Sequence, residues 1–217
     1  MRRLALIAAA SLGLGVAVIV DQPASFAHHL APKKGEFRSG GNLAHTNLKG
    51  VNLKGVNLNT ANLRGADLSR ADLRRADLSR ADLQAANLSR TKLSGADLGG
   101  ANLNNANLSG ADLRRADLSG ASLNNANLQA AKLSDAKLRG ADLRDASLRY
   151  ASLRYADLRD ARLNNANLSG ANLSGASLSG ASLSGTKLSE AIITGTKGCP
   201  KSLPSEWVCR NSSIVRR

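Results

Sequence analysis

A leucine recurs at every fifth position from Leu43 to Leu188, and Ile193 continues the series. The residue two places before it is Ala in most units, and elsewhere it is small or β-branched, as at Gly41 and Thr91. A step of five matches neither the 3.6-residue period of a helix nor the two-residue period of a strand. Along a helix, it would turn successive leucines by about 140° and spread them around the axis. An amphipathic helix is therefore excluded as the repeating structure.

The spacing within each unit suggests a chain that bends regularly. Two apolar residues separated by one polar residue point to the same side of an extended segment. The next Ala–Leu pair begins three residues later, so the chain must turn once per unit if all pairs are to face one axis. Asn, Asp, Ser and Gly fill many of the other positions and are common turn residues. The repeat therefore predicts a coil wound around a column of Leu and Ala.

The units, such as "ADLSRADLRRADLSR" at 66–80, resemble the pentapeptide-repeat family, whose consensus is A(D/N)LXX. The resemblance covers residues 41–195, which form 31 units without an insertion. It implies an all-β fold: a right-handed quadrilateral β-helix with four pentapeptides per turn and inward Leu and Ala. That range would make about 7.75 coils and, at the spacing of β-strands, a rod about 37 Å long. The inward core would include Leu43, Leu73, Leu113, Leu153 and Ile193.

The N-terminal segment has the layout of a secretory signal peptide. Two arginines precede the uncharged apolar run at 4–20, and Ser25 and Ala27 are small residues that fit cleavage after Ala27. The alternative is a retained membrane anchor, for which the run is short. We expect a signal peptide at 1–27, a linker at 28–40 with Phe37 as a lid on the first coil, and an exported protein.

The C-terminal segment at 196–217 breaks the five-residue register and is expected to cap the rod. It holds the only tryptophan, Trp207, which could cover the last leucine layer, and both cysteines, Cys199 and Cys209. In an oxidising compartment these cysteines predict one disulfide; half of a metal site is the alternative. The segment resembles tails of exported pentapeptide-repeat proteins, which implies the periplasm, secretion or the thylakoid lumen.

If residues 20 apart stack, the outward charges concentrate on one side of the rod. The face of the units centred on Leu53, Leu73 and their successors carries net +5, and the preceding face, centred on Leu48 and Leu68, carries net +3. The other two faces total −1. We call the two positive faces the basic side. It could dock to an acidic protein or an anionic surface, or it could be a solvated face that keeps the rod soluble. The candidate docking residues are Arg74, Arg75, Lys92, Arg114, Arg115, Lys132 and Arg154.

Three smaller features each have two interpretations. Asp77, Asp97 and Asp117 should stack and could bind a hard cation, or they could form salt bridges with Arg75 and Arg115. Tyr150 and Tyr155, at the corners of adjacent faces, could recognise a partner or could have only a packing or bystander role. His28 and His29 could bind a transition metal weakly, although a linker is the expected role.

The sequence contains little that catalysis requires. Outside the linker, His45 is the only histidine, and a packed leucine column leaves no substrate cavity. We therefore expect no enzyme activity and no cofactor, but a structural or protein-interaction rod, monomeric rather than dimeric. Nucleic acid is not an expected partner, because the rod has few aromatic residues for base stacking. No stable membrane insertion is expected after cleavage.

Two alternative functions stay open. One is association with a membrane surface, through the basic side or an uncleaved N-terminus. The other comes from the family resemblance, since some members mimic DNA and act on gyrase. Such mimicry requires an acidic rod, whereas this chain carries a formal net charge of +14.

Overall fold

The structure, a computed structural model, describes residues 5–8, 17–20 and 37–217. Strand β1 (Ala5–Ala8) pairs antiparallel with β2 (Ala17–Val20). The predicted cleavage site after Ala27, the histidines at 28 and 29 and most of the linker lie outside the described residues. Near the C-terminus, β3 (Trp207–Arg210) pairs antiparallel with β4 (Ser213–Arg216).

Between these hairpins, the chain forms a regular coil with a 20-residue turn. The residue before each leucine forms a parallel bridge with the residue 20 positions later, beginning with Asn42 and Asn62. Four five-residue units therefore make one coil, which confirms the predicted all-β quadrilateral helix. The ladder continues past residue 195 through Lys197 and ends with the bridge between Ser182 and Ser202.

The preference for Asn or Asp before each leucine follows from the backbone hydrogen bonds. In the unit from Asn62 to Ala66, the amides of residues 62, 63 and 65 bond to carbonyls of neighbouring coils, at 2.7 to 2.9 Å. The amide of Ala66 closes a turn on the carbonyl of Leu63, at 3.1 Å. The amide of Arg64 bonds to the side-chain oxygen of Asn62 at 3.2 Å. The Asx side chain thus satisfies the one amide that the coil leaves free.

Each corner of the coil contains a residue in the left-handed backbone region. Every residue whose number is a multiple of five, from Gly40 to Gly195, has φ between 56° and 71°. It is the second central residue of its turn, and a positive φ at that position alone is the pattern of a type II turn. Glycine adopts this conformation without strain, which explains its frequency at the corners.

The core is a continuous column of leucine and alanine. Leu43, Leu73, Leu113 and Leu153 are completely buried, as are the other leucines up to Leu183. Ile193, the last member of the series, is only partly buried. Threonine can replace the inward alanine because its hydroxyl finds a carbonyl: Thr91 Oγ1 donates to the carbonyl oxygen of Leu68 at 2.8 Å.

The C-terminal cap covers part of the rod's last coil. Cys199 and Cys209 form the predicted disulfide, with 5.7 Å between their Cα atoms. Trp207 is partly buried and packs against the hydrophobic core, as does Phe37, which precedes the first coil. In the described part of the chain, the amides of Leu188 and Glu190 have no backbone partner, so this edge of the ladder stays open beside a groove of 570 Å³.

Candidate docking surface

The 20-residue register brings the candidate docking residues together on one side of the rod. Asp72, Lys92, Asp112 and Lys132 are successive partners in one ladder of parallel bridges. The arginines at 74, 75, 114, 115 and 154 belong to the units centred on Leu73, Leu113 and Leu153 of the same face. This placement gives the face the excess of positive charge described above.

Two of the candidate arginines are neutralised within their own units. Arg74 donates from Nε to Asp72 Oδ1 at 2.8 Å and from Nη2 to Oδ2 at 2.5 Å. Arg114 binds Asp112 in the same way, at 2.8 and 2.7 Å. Both partners point outward from one face because a single inward leucine separates them. The hydrogen bond from Arg74 holds the pKa of Asp72 below its usual value, with a smaller contribution from Lys92.

The neighbouring arginines, Arg75 and Arg115, have no ion pair among the described residues. Among residues 37–217, no acidic side chain lies within 4.0 Å of either guanidinium. The salt bridges with Asp77 and Asp117 that the sequence suggested are therefore wrong. Each arginine is itself a corner residue, and an inward alanine separates it from the aspartate, which belongs to the next face of the coil.

The aspartate column has other partners. Asp77 accepts a hydrogen bond from the amide of Ser79 at 2.9 Å, and Asp97 accepts one from the amide of Gly99 at 2.8 Å. Asp117 forms an ion pair with Lys137 Nζ at 3.2 Å. Among the described residues, no group of three or more His, Cys, Asp or Glu is arranged to hold a metal ion. These aspartates therefore act as turn residues of the coil.

The remaining candidate cations face solvent. Within the described ranges, Lys92, Lys132 and Arg154 have no ion-pair partner within 4.0 Å. The guanidinium of Arg154 instead lies 5.6 Å from the ring centroid of Tyr155, a cation–π contact. Like the two corner arginines, these three cations have no ion pair with any residue of 37–217.

The two tyrosines are both exposed and packed. Tyr150 and Tyr155 expose 55% and 59% of their surface. Each ring lies against a glycine one coil later, Gly170 and Gly175, and its edge comes within 2.6 Å of the position that a Cβ would take. The contact of Arg149 with Tyr150, at 5.4 Å, was not expected from the sequence. The 20-residue spacing between each tyrosine and its glycine is a sequence signal that could have revealed the packing.

The fold and the repeat together define the family. The family model described as pentapeptide repeats matches residues 41–80, 81–120, 91–129, 126–165 and 156–195. The chain therefore belongs to the pentapeptide-repeat family, whose members form right-handed quadrilateral β-helices.

Solved structures of the same family resemble parts of the chain. It is 40% identical to the pentapeptide-repeat protein Rfr23 of the cyanobacterium Cyanothece 51142 over 43% of this chain and 62% of that one, with a TM-score of 0.40. It is 34% identical to HetL, a pentapeptide-repeat protein involved in heterocyst differentiation regulation from the cyanobacterium Nostoc sp. strain PCC 7120, over 73% of this chain and 89% of that one, with a TM-score of 0.32.

A third structure shares the fold at lower identity. QnrB1, a plasmid-mediated fluoroquinolone resistance protein, is 21% identical over 71% of this chain and 77% of that one, with a TM-score of 0.56. The present chain spans less than two thirds of Rfr23, at 62% of its length. No curated protein matches the chain significantly. Across the described ranges, no helix has the length and apolar character needed to cross a membrane.

Proposed function

We propose that this pentapeptide-repeat chain is a non-enzymatic, exported interaction rod that docks through its basic side onto an acidic protein surface. The observation that carries the proposal is the group of cations on that side that have no ion pair within residues 37–217, above all Arg75, Arg115 and Arg154. A guanidinium that no carboxylate of residues 37–217 neutralises is available to bind a carboxylate of a partner. Several such groups on one side also attract an acidic partner from a distance.

The interior of the coil supports a role without catalysis. The inward leucines up to Leu183 are 0% exposed, and the alanines between Ala61 and Ala181 are at most 1% exposed, so the axis is filled. Substrate sites are usually concave cavities, and a filled axis provides none. Export is supported by the signal-like pattern at 1–27 and by the disulfide between Cys199 and Cys209, a bond typical of oxidising compartments.

The charge of the rod's surface favours one of the two alternative functions, membrane-surface association, over the other, mimicry of DNA. An anionic membrane surface would attract the same cations, so membrane-surface association is the second candidate. Mimicry of DNA would require rows of carboxylates along the rod, but the aspartates at 72 and 112 are each bound by an arginine of this chain. The surface is therefore poorly suited to act on a DNA-binding enzyme such as gyrase.

A charge-reversal variant tests the proposal. Arg75→Glu, Arg115→Glu and Arg154→Glu are combined, while Arg74 and Arg114 are kept because they bind Asp72 and Asp112. The variant is expected to capture less of its partner from the native compartment than the wild type does. Wild-type capture is itself expected to weaken with added salt, since exposed charges are screened within about 8–10 Å at physiological ionic strength.

The control makes the same change in net charge on the other two faces. It combines Arg64→Glu, Arg80→Glu and Arg162→Glu, of which Arg64 and Arg162 give up ion pairs with Asp82 and Asp142. It is expected to unfold cooperatively and to capture the partner as the wild type does. Equal capture by the two variants would mean that the basic side is only a solvated face. Binding of the wild type to phosphatidylglycerol vesicles, without capture of a protein, would favour the membrane-surface alternative.

A further inference from the structure

A notch of 460 Å³ lies on the basic side, at the corner of the coil that contains Gly95. Corner residues 20 apart stack in a column, so Arg75 lies one coil before Gly95 and Arg115 lies one coil after it. The two arginine Cα atoms are therefore separated by two coils, or about 10 Å, with a glycine between them. The notch is lined by Arg75, Ser94, Gly95, Arg114, Arg115 and Asp135.

The missing side chain at position 95 creates the floor of this notch. The Cγ atom of Arg75 lies 3.8 Å from the position that a Cβ on Gly95 would occupy. The aliphatic part of Arg75 therefore lies along the glycine, while Arg115 borders the notch from the opposite side. Two guanidiniums from alternate coils can then approach a single bound group.

The donors around the notch are largely unused. Arg75 and Arg115 have no acidic partner within 4.0 Å in the described chain. Arg114 binds Asp112 through Nε and Nη2, which leaves its Nη1 group without a partner in residues 37–217. A set of convergent guanidinium donors is typical of sites for carboxylate or phosphate.

Ser94 adds two further donors. In most units, an Asn or Asp before the leucine accepts the hydrogen bond of the residue after it, but this unit has Lys92 at that position. Over residues 37–217, the Ser94 amide consequently has no acceptor, and its hydroxyl also forms no hydrogen bond. Ser134, two coils and 40 residues further on, differs because its hydroxyl bonds to Ser152 at 3.0 Å.

We infer that this notch binds a carboxylate, supplied by an Asp or Glu side chain of the docking partner. The guanidiniums of Arg75 and Arg115 would hold the carboxylate oxygens, and Ser94 would donate from its amide and hydroxyl. Among the described residues, Asp135 is the one carboxylate that lines the notch, and its repulsion would weaken binding. The source of the carboxylate rests on the proposed docking function, whereas the affinity of the notch for a carboxylate does not.

The test titrates the isotope-labelled full chain with glutarate at constant ionic strength and follows the amide signals of Ser94 and Gly95 by NMR. Saturable shifts are expected for the wild type. Arg75→Gln with Arg115→Gln should weaken the affinity by about tenfold or more, because hydrogen bonds to charged groups contribute about 1.5–3 kcal/mol. The control, Arg70→Gln with Arg90→Gln, removes the same charge from the neighbouring corner and should leave the affinity unchanged.

A separate variant keeps the test decisive if the double substitution disturbs the coil. Asp135→Asn removes the competing carboxylate, and glutarate is expected to bind more tightly. NMR shifts that do not saturate would contradict binding at the notch. The same loss of glutarate affinity in both double variants would contradict it as well. Saturation with inorganic phosphate but not with glutarate would overturn the assignment to a carboxylate. If the notch binds glutarate but charge reversal leaves partner capture unchanged, the docking function is wrong and the carboxylate site stands.

Discussion

At the scale of single residues, the corner positions show which side chains this coil tolerates and why. Eighteen non-glycine residues occupy corners between Gly40 and Gly195, all with φ close to 60°. Left-handed backbone costs an ordinary residue about 1 kcal/mol, and packing of the side chain can offset part of this cost. At several corners a large side chain packs over a glycine one coil later, as Tyr150 does over Gly170 and Arg75 over Gly95. The glycine makes room for the packing.

This pairing predicts that glycine corners differ in their sensitivity to substitution. Gly170→Ala places a Cβ within 2.6 Å of the Tyr150 ring, in addition to the strain of a positive φ. Gly120→Ala introduces the same strain, but nothing lies within 4 Å of its Cβ. We expect Gly170→Ala to be more destabilising than Gly120→Ala by about 1 kcal/mol or more, measured by thermal unfolding.

A double variant separates the contact from the backbone strain. In a Tyr150→Ala background, Gly170→Ala should cost no more than Gly120→Ala, because the ring is gone. An unchanged difference between the two glycine substitutions in that background would show that the ring is not the cause.

At the scale of structural elements, the coil could be predicted from the sequence, but the partners of its side chains could not. The repeat from Leu43 to Ile193 determines which residues face inward, and the structure buries its leucines accordingly. Salt bridges depend instead on whether two residues share a face. Arg74 lies two residues after Asp72 on one face and binds it. Arg75 is a corner residue, and Asp77 lies on the next face, so these two side chains do not pair. Nearness in sequence alone could not distinguish these cases.

The C-terminal cap is the element whose contribution can be measured by itself. Reduction of the disulfide between Cys199 and Cys209 should release the hairpin of β3 and β4 from its position beside the open ladder edge at Leu188 and Glu190. The bridge closes a short loop, so its stabilisation is at most about 3 kcal/mol. Hydrogen exchange should therefore rise first at residues 186–217, while amides near Leu113 stay protected.

A variant with Cys199→Ser and Cys209→Ser should behave like the reduced protein. If exchange rose equally in the middle of the rod, the cap would be part of one cooperative unit with the whole coil. Local loosening would be the wrong description in that case.

At the scale of the whole molecule, each coil bonds only to the coil before and the coil after it. Stability in such a fold is approximately a sum over neighbouring coils, and length can change without altering the packing within a coil. The packing of the core hardly depends on the number of units, since each unit contributes the same inward Ala and Leu. The outer surface is different, because residues share a face only if they are 20 apart.

The core therefore repeats every five residues, whereas the surface aligns only every 20 residues. Insertions of different length can test this difference. A variant with one extra ANLSG unit inserted after Gly120 should still fold. The insertion rotates all the following units by a quarter of a turn about the axis of the coil. Lys132 and Arg154 would then leave the side that carries Arg75 and Arg115, and capture of an acidic partner should weaken. Four such units complete the revolution and should restore capture in a rod about 5 Å longer. Equal capture by both insertions would show that alignment along the rod is irrelevant.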